Sequence, residues 1–195
     1  MSAQACRAAW LTNAERPSAN DLDAAFPNGA CELFSLSEPE RSCIAPRELV
    51  ARVLTSPRDY DATIGEILTA KLTDCYRSGL SVIRQGASDD DILGTIGALL
   101  AAEGNDGLVG AVVLPAERIR EIGEEAKHFC LYDTDSPVNT NHGDVVGTFS
   151  RDLSRSAWDK EMSRRRRALR DVLAENIVHA VQPPDLLAAL RQSGI

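Results

Sequence analysis

Between Pro46 and Glu103 the apolar residues return at steps of three and four, the spacing that gathers side chains on one face of an α-helix. Pro46 suits a first helical position, and Leu49, Val50, Val53 and Leu54 follow it at that spacing. Ser56-Pro57-Arg58-Asp59 has the form of a second start: a capping residue, a proline, then an acid in the first turn. Ile64, Ile67, Leu68, Leu72, Cys75, Tyr76 and Leu80 continue the pattern and predict one amphipathic helix over about 58–84. The clearest element runs from Ser88 to Glu103. Ser88 caps it, Asp89, Asp90 and Asp91 favour its N-terminal dipole, and Gly104 closes it. Gly94 and Gly97 each cost about 1 kcal/mol relative to Ala inside a helix, so close packing against a neighbour is expected there.

Beyond this region, Asn105-Asp106-Gly107 turns the chain into Leu108–Leu114, a β-branched run that reads as a strand. Pro115 then opens a helix reaching to about Lys127, and Phe129–Tyr132 and Val145–Phe149 read as short strands. A long helix is expected from Ser154 or Ser156 to Val181, stopped by Pro183-Pro184, with Trp158, Met162, Leu169 and Leu173 on its buried stripe. A short terminal helix turns Leu186, Leu187 and Leu190 inward. Residues 1–45 are broken by Pro17, Pro27, Asn28-Gly29 and Pro39, leaving Ala8–Leu11 and Cys31–Leu36 as short candidate strands. Aromatic residues are only 5% of the chain, so the core must be aliphatic, which suits helices. The fold expected is one α+β domain over 1–195, mostly helical, with a small sheet of short strands. Within it lie an irregular N-terminal region, 1–45, and a C-terminal helical segment, 154–195.

No run approaches the roughly 18 apolar residues of a membrane span, and Met1–Trp10 lacks the basic-then-apolar form of a signal peptide. No membrane partner is expected. The five cysteines, Cys6, Cys31, Cys43, Cys75 and Cys130, are odd in number and form no C-x-x-C pair. They argue against a disulfide framework and against a zinc knuckle, and they fit a reducing, cytoplasmic setting. The net charge of −8 is uneven: residues 151–195 carry +3 and the rest −11. An acidic body opposes general affinity for nucleic acid, since phosphate binding is largely electrostatic. Phosphate-loop, dinucleotide, G-x-S-x-G and kinase signatures are missing from the sequence, and no cofactor is expected.

The segment most suggestive of chemistry is His128–Gly147, HFCLYDTDSPVNTNHGDVVG. Its candidate site residues are His142, Asp144, Asp133 and Cys130. General acid–base work would use His142 with Asp144 as its orienting partner. A nucleophilic role for Cys130 would need His142 within reach, whereas a cysteine between Phe129 and Leu131 also reads as core. A metal could draw on His128-x-Cys130 or His142-x-Asp144, with Asp133 and Asp135 adding oxygens, but no established zinc spacing is matched. His142 can equally brace a turn through local hydrogen bonds. Asn139-x-x-His142-Gly143-x-Val145-x-Gly147, followed by an arginine-rich helix, resembles a short pattern in small uncharacterised bacterial proteins, over residues 135–170. The resemblance implies a bacterial origin and a shared loop shape held by Asn139, His142 and Gly147. It implies no activity, cofactor or partner.

The second feature is Arg164-Arg165-Arg166-Arg167, with Arg151, Arg155, Lys160 and Arg170 nearby. Consecutive helical positions fan around the axis, so the four cannot share one face. Arg165 or Arg166 falls on the apolar stripe and must snorkel or meet an acid. Asp89–Asp91, Glu121, Glu124 and Glu125 are candidate acids. An intramolecular salt-bridge face, contact with an acidic protein or second copy, and nucleic-acid binding are the readings, in that order. The leading functional expectation is a non-catalytic accessory protein of a bacterial multi-protein assembly. The alternatives are a small hydrolase or transferase centred on 128–147, and a nucleic-acid-binding factor using Arg164–Arg170.

Overall fold

The computed structural model describes residues 1–11, 18–37, 41–102, 104–123, 127–134, 136, 138–150 and 152–195. Its frame is a six-stranded antiparallel sheet, which corrects the expectation of a mostly helical chain with a small sheet. The strands are β1 (Leu49–Ser56), β4 (Leu80–Arg84), β5 (Gly107–Pro115), β6 (Phe129–Asp133), β7 (His142–Gly147) and β8 (Ile177–His179), in the spatial order β6-β7-β4-β1-β5-β8. β2 (Tyr60–Asp61) and β3 (Glu66–Ile67) form a separate two-stranded ribbon, and a 3-10 helix spans Lys71–Tyr76.

The helices expected over Pro46–Leu54 and 58–84 are therefore absent, and the reason is burial. β1 is central and covered on both faces, so it reads as a near-continuous apolar run. Over eight residues such a run also satisfies three- and four-residue steps, and periodicity alone does not separate the two. Pairing alternates its side chains: Val50 and Leu54 join one core, Ala51 and Val53 the other.

The first core lies under α5 (Arg155–Ala174), where Leu169 and Leu173 meet Val82, Val112, Leu114 and Val145. The second lies under α3 (Asp89–Ala101) and α6 (Pro183–Ser193), where Ile92, Ile96, Leu186 and Leu190 cover Ala51, Val53 and Ala111. The scarce aromatic rings are concentrated at one end of the first core. Tyr76 packs on Phe129, Phe149 and Trp158, with centroids 5.6–6.2 Å apart. A Cβ at Gly147 would overlap the Tyr76 ring, so the strand must carry glycine there.

The N-terminal region holds no strand among its described residues, against the two expected there. It forms α1 (Ala3–Trp10), α2 (Ala19–Ala25) and a 3-10 turn (Ala30–Leu33), with Ser2 and Ser18 capping the helices. Cys6 and Cys31 form a disulfide with Cα atoms 5.7 Å apart, overturning the expectation of unbridged cysteines. The two are 25 residues apart in sequence and meet in a core shared with α2 and the sheet. With Trp10, Leu22 and Leu36 they build a third core over Cys130, Tyr132 and Val146. Glu32 accepts a hydrogen bond from the Leu131 N–H and pairs with Arg120 and Lys127, so a carboxylate satisfies the outer edge of β6.

Helix boundaries moved where an apolar residue had a sheet to join. The helix after Pro115 is α4 (Ala116–Arg120) and stops short of Lys127; α5 ends at Ala174, because Ile177 pairs with Val112 in the sheet rather than extending the helix to Val181. Arg165 lies on the buried stripe of α5, as expected for one arginine of the run. Its acid partner is Glu161, one turn back, rather than Asp89–Asp91 or Glu121; Glu124 and Glu125 lie outside the described residues. Arg165 also donates to the Thr148 carbonyl and lies 5.3 Å over the Trp158 ring.

Hydrogen bonds from Arg164 and then Arg165 outweigh partial burial and hold Glu161 down at about 2. A carboxylate depressed in the folded state stabilises above its unfolded value, and that contribution is lost as pH falls through the folded one. The melting temperature is therefore expected to drop between pH 4.5 and about 2 more steeply in wild type than in Glu161→Gln, read by circular dichroism. Parallel pH profiles would refute the role of Glu161.

Candidate functional site

Strand alternation puts His142 and Asp144 on the same face of β7, opposite Ile83 and Ser81 of β4. Thr134, just past β6, donates its backbone N–H to the His142 carbonyl, which sets the two side chains beside each other. Thr134 Oγ1 stands 2.9 Å from His142 Nδ1 and 2.8 Å from Asp144 Oδ2, while Nδ1 and Oδ2 are 3.9 Å apart. The threonine hydroxyl thus links the imidazole to the carboxylate. It has one proton to give. When Asp144 is ionised that proton goes to the carboxylate, so His142 must donate from Nδ1–H, and in the neutral ring the lone pair is then on Nε2.

The three side chains are nearly sealed from solvent, at 8%, 1% and 5% exposure for His142, Thr134 and Asp144. Burial raises the Asp144 carboxyl above its ordinary range, although His142 and hydrogen bonds from Thr134 and Ser81 pull it back. Gly79 makes room for this acid: its φ is +91°, and a Cβ there would stand 2.6 Å from the Asp144 Cβ.

His142 also lines a pocket of about 170 Å³ between α3 and the sheet. Its walls include Ala51, Val53, Ile83, Ala98, Leu99 and Val138, so the lining is chiefly apolar. Ser81, Thr95 and Arg58 add polar groups. No hydrogen bond joins His142 Nε2 to another described residue, and this atom is not among the buried polar atoms left unpaired. His142 thus lines the pocket with Nε2 as the ring nitrogen that Thr134 does not engage.

α3 starts as its sequence expects but ends at Ala101, with Ala102 rather than Gly104 as its cap. Ser88 accepts from the Asp91 N–H and Asp91 returns a bond to the Ser88 N–H, a reciprocal cap. The same Asp91 accepts from the Thr140 N–H at 2.7 Å. The cap of α3 therefore also fastens the segment leading into His142. Gly94 brings α3 close: a Cβ there would meet the Val138 carbonyl at 2.9 Å, the tight packing expected of this glycine. Gly97 faces open space instead.

The other candidates named from sequence lie elsewhere. Asp133 alternates to the opposite face and is fully buried; Arg84 and Arg41 pair with it, and Ser35 and Ser37 donate to it. Cys130 sits in the N-terminal core, where burial and Glu32 push its thiol up to about 12. That is the wrong direction for a nucleophile. His128 lies 3.9 Å from Glu161, and burial, followed by Arg165 and Arg164, lowers its pKa. Among the described residues no three His, Cys, Asp or Glu side chains converge to hold a metal ion; Asp135 lies outside them. Asn139 accepts from the Asn141 N–H in the loop, whereas His142 and Gly147 belong to β7.

Of the arginines on α5, Arg164 and Arg165 bond Glu161, Arg166 bonds Thr73 and Ser163, and Arg170 bonds Asp171. Arg167 is exposed with no bond to a described residue, and Arg151 lies outside the described residues.

Sequence reading missed Thr134, Arg58 and Ser81. Thr134 had a signal, because a hairpin pairing of 129–133 with 143–147 brings residue 134 opposite 142. Arg58 and Ser81 had none, since both fell within a helix that does not form. No protein-family model, curated protein or solved structure matches the chain.

Asp133 is thus a structural charge. Replacing it with alanine leaves Arg84 buried without its acid partner there, which costs about 3–5 kcal/mol. Urea unfolding of Asp133→Ala is expected to show a loss of that size. A loss below about 1 kcal/mol would mean that Glu48 alone compensates Arg84.

Proposed function

We propose that the protein is a small enzyme of the hydrolase or transferase type in which His142 handles a proton for a compact ligand bound between α3 and the sheet. One observation carries this reading: His142 lines an apolar-walled pocket with one ring nitrogen uncommitted, while its other nitrogen is tied through Thr134 to the buried Asp144. A general base needs its tautomer and orientation fixed, and the relay supplies both. The size of the pocket matches a ligand near that of benzene, which fits in an engineered cavity of about 150 Å³.

A non-catalytic accessory role in a larger assembly has a narrower basis. Docking on an acidic protein or a second copy of the chain would draw on Arg167 and the exposed side of Arg164, since the other arginines of the run have internal partners. A nucleic-acid role would rest on the same two side chains against an acidic body. No described helix is long and apolar enough to cross a membrane. A cytoplasmic setting, expected from the cysteine count, meets one opposing feature in the Cys6–Cys31 bridge, because disulfides persist mainly in oxidising compartments.

A panel of small activated esters, amides and phosphate esters tests the enzyme reading. Turnover of at least one class is expected, reduced roughly 10²–10⁴-fold in His142→Ala and less in Thr134→Val, where the ring loses its orienting partner. Equal turnover by wild type and His142→Ala would remove His142 from the chemistry.

A further inference from the structure

Among the described residues, arginines withdrawn from water have partners, with one exception. Arg52 pairs with Asp59 at 2.7 Å, Arg84 with Glu48 and Asp133, Arg120 with Glu32, and Arg165 with Glu161. The half-buried Arg7, Arg41, Arg166 and Arg170 each bond a carbonyl, a hydroxyl or an acid. Arg58 is also half-buried, yet no hydrogen bond or ion pair joins it to a described residue, and its Nε is sealed from solvent with no acceptor. It lines the same pocket as His142.

A guanidinium with a sealed N–H and no acceptor is incompletely satisfied, and the strongest partner for it is a planar carboxylate that takes two parallel N–H bonds. We infer that the pocket takes a compact monocarboxylate, its anionic end on Arg58 and its apolar body against Ala98, Leu99 and Val53. This assignment rests on the proposed role of the pocket and adds the class of molecule it accepts.

Three observations favour a monocarboxylate over a phosphate, and the first of them also favours it over a neutral molecule. Among the described residues that line the pocket, Arg58 is the cation with no acid partner; Arg52, which also borders it, is taken by Asp59. Thr95, Ala98, Leu99 and Ala102 belong to the C-terminal half and end of α3, where the helix dipole is negative and works against a dianion. The chiefly apolar lining provides few donors for a second and third phosphate oxygen. The carboxylate then positions the molecule, and His142, lining the same pocket, acts at another of its atoms.

The test is titration calorimetry with benzoate, 3-methylbutanoate and cyclopentanecarboxylate, each against its neutral amide and against inorganic phosphate. Wild type is expected to bind at least one acid at least about tenfold more tightly than its amide, the size of a charge-assisted bond. Arg58→Gln, checked by thermal melting to be folded, should remove that difference, and phosphate should bind weakly. Acids and amides binding alike to wild type, or phosphate binding as tightly as the best acid, would overturn the assignment without needing any variant. The acid preference should survive in His142→Ala. If it does while turnover is indifferent to His142, the enzyme reading fails and the carboxylate site stands. If turnover depends on His142 but acids have no advantage, the reverse holds.

Discussion

A sheet covered on both faces leaves no water for the charges its strands carry, and the rest of this structure follows from that constraint. β1 and β4 place Arg52 and Arg84 in the interior, where an unpaired charge is prohibitive. Each is answered by a segment that would otherwise have no reason to sit where it does. The turn after β1 brings Asp59 to Arg52, where the attraction of Arg52 and the hydrogen bonds of Thr55 outweigh burial and lower its carboxyl. Asp133 and Glu48 close on Arg84 from two sides, which fixes the end of β6 against the approach to β1.

The same constraint explains the N-terminal region. β6 is an edge strand, and an open edge in a buried position would leave its backbone groups unsatisfied. Glu32 and the segment around Leu36 take that place, the first through its carboxylate and the second through its backbone N–H to the Asp133 carbonyl. Glu32 is in turn compensated by Arg120 and Lys127, so this cover is bound to the sheet by charge as well as by the third core. Gly29 marks how closely it lies: a Cβ there would collide with the Cys130 sulfur. A pattern of polar residues and turn formers therefore hid a packed module, because its order comes from long-range pairing and a disulfide that local sequence does not announce.

Legibility followed the range of the interaction that decides each element. α3 was readable because Ser88, three aspartates and the apolar stripe all lie within the helix they define. α6 and β5 were readable for similar reasons of local punctuation. β1 and β4 were not, since an apolar run buried on both faces looks like a helix until its partners are known. At the site, His142 and Asp144 stood out by residue type and by a spacing of two. Asp133 and Cys130 shared the type but not the geometry, because alternation and distance along β6 carry one to the opposite face and the other into the N-terminal core. Thr134, the link between the two that did converge, has no chemical signature and is recognised only by the hairpin that aligns it.

That link makes the site more than two side chains near each other. A hydroxyl between an acid and an imidazole transmits the acid's ionisation to the ring. With Asp144 charged, Thr134 donates to it and Nδ1 of His142 holds the proton, so in the neutral ring Nε2 is left as a base. With Asp144 neutral, the carboxyl can donate to Thr134, the hydroxyl turns to Nδ1, and the proton moves to Nε2, which is then a donor. Burial pushes Asp144 toward the neutral form, while His142, Thr134 and Ser81 hold it toward the charged one. The balance among those groups decides whether the pocket meets an acceptor or a donor. Anything that changes the field at Asp144, such as an anion seated on Arg58, bears on that choice through a side chain it does not touch.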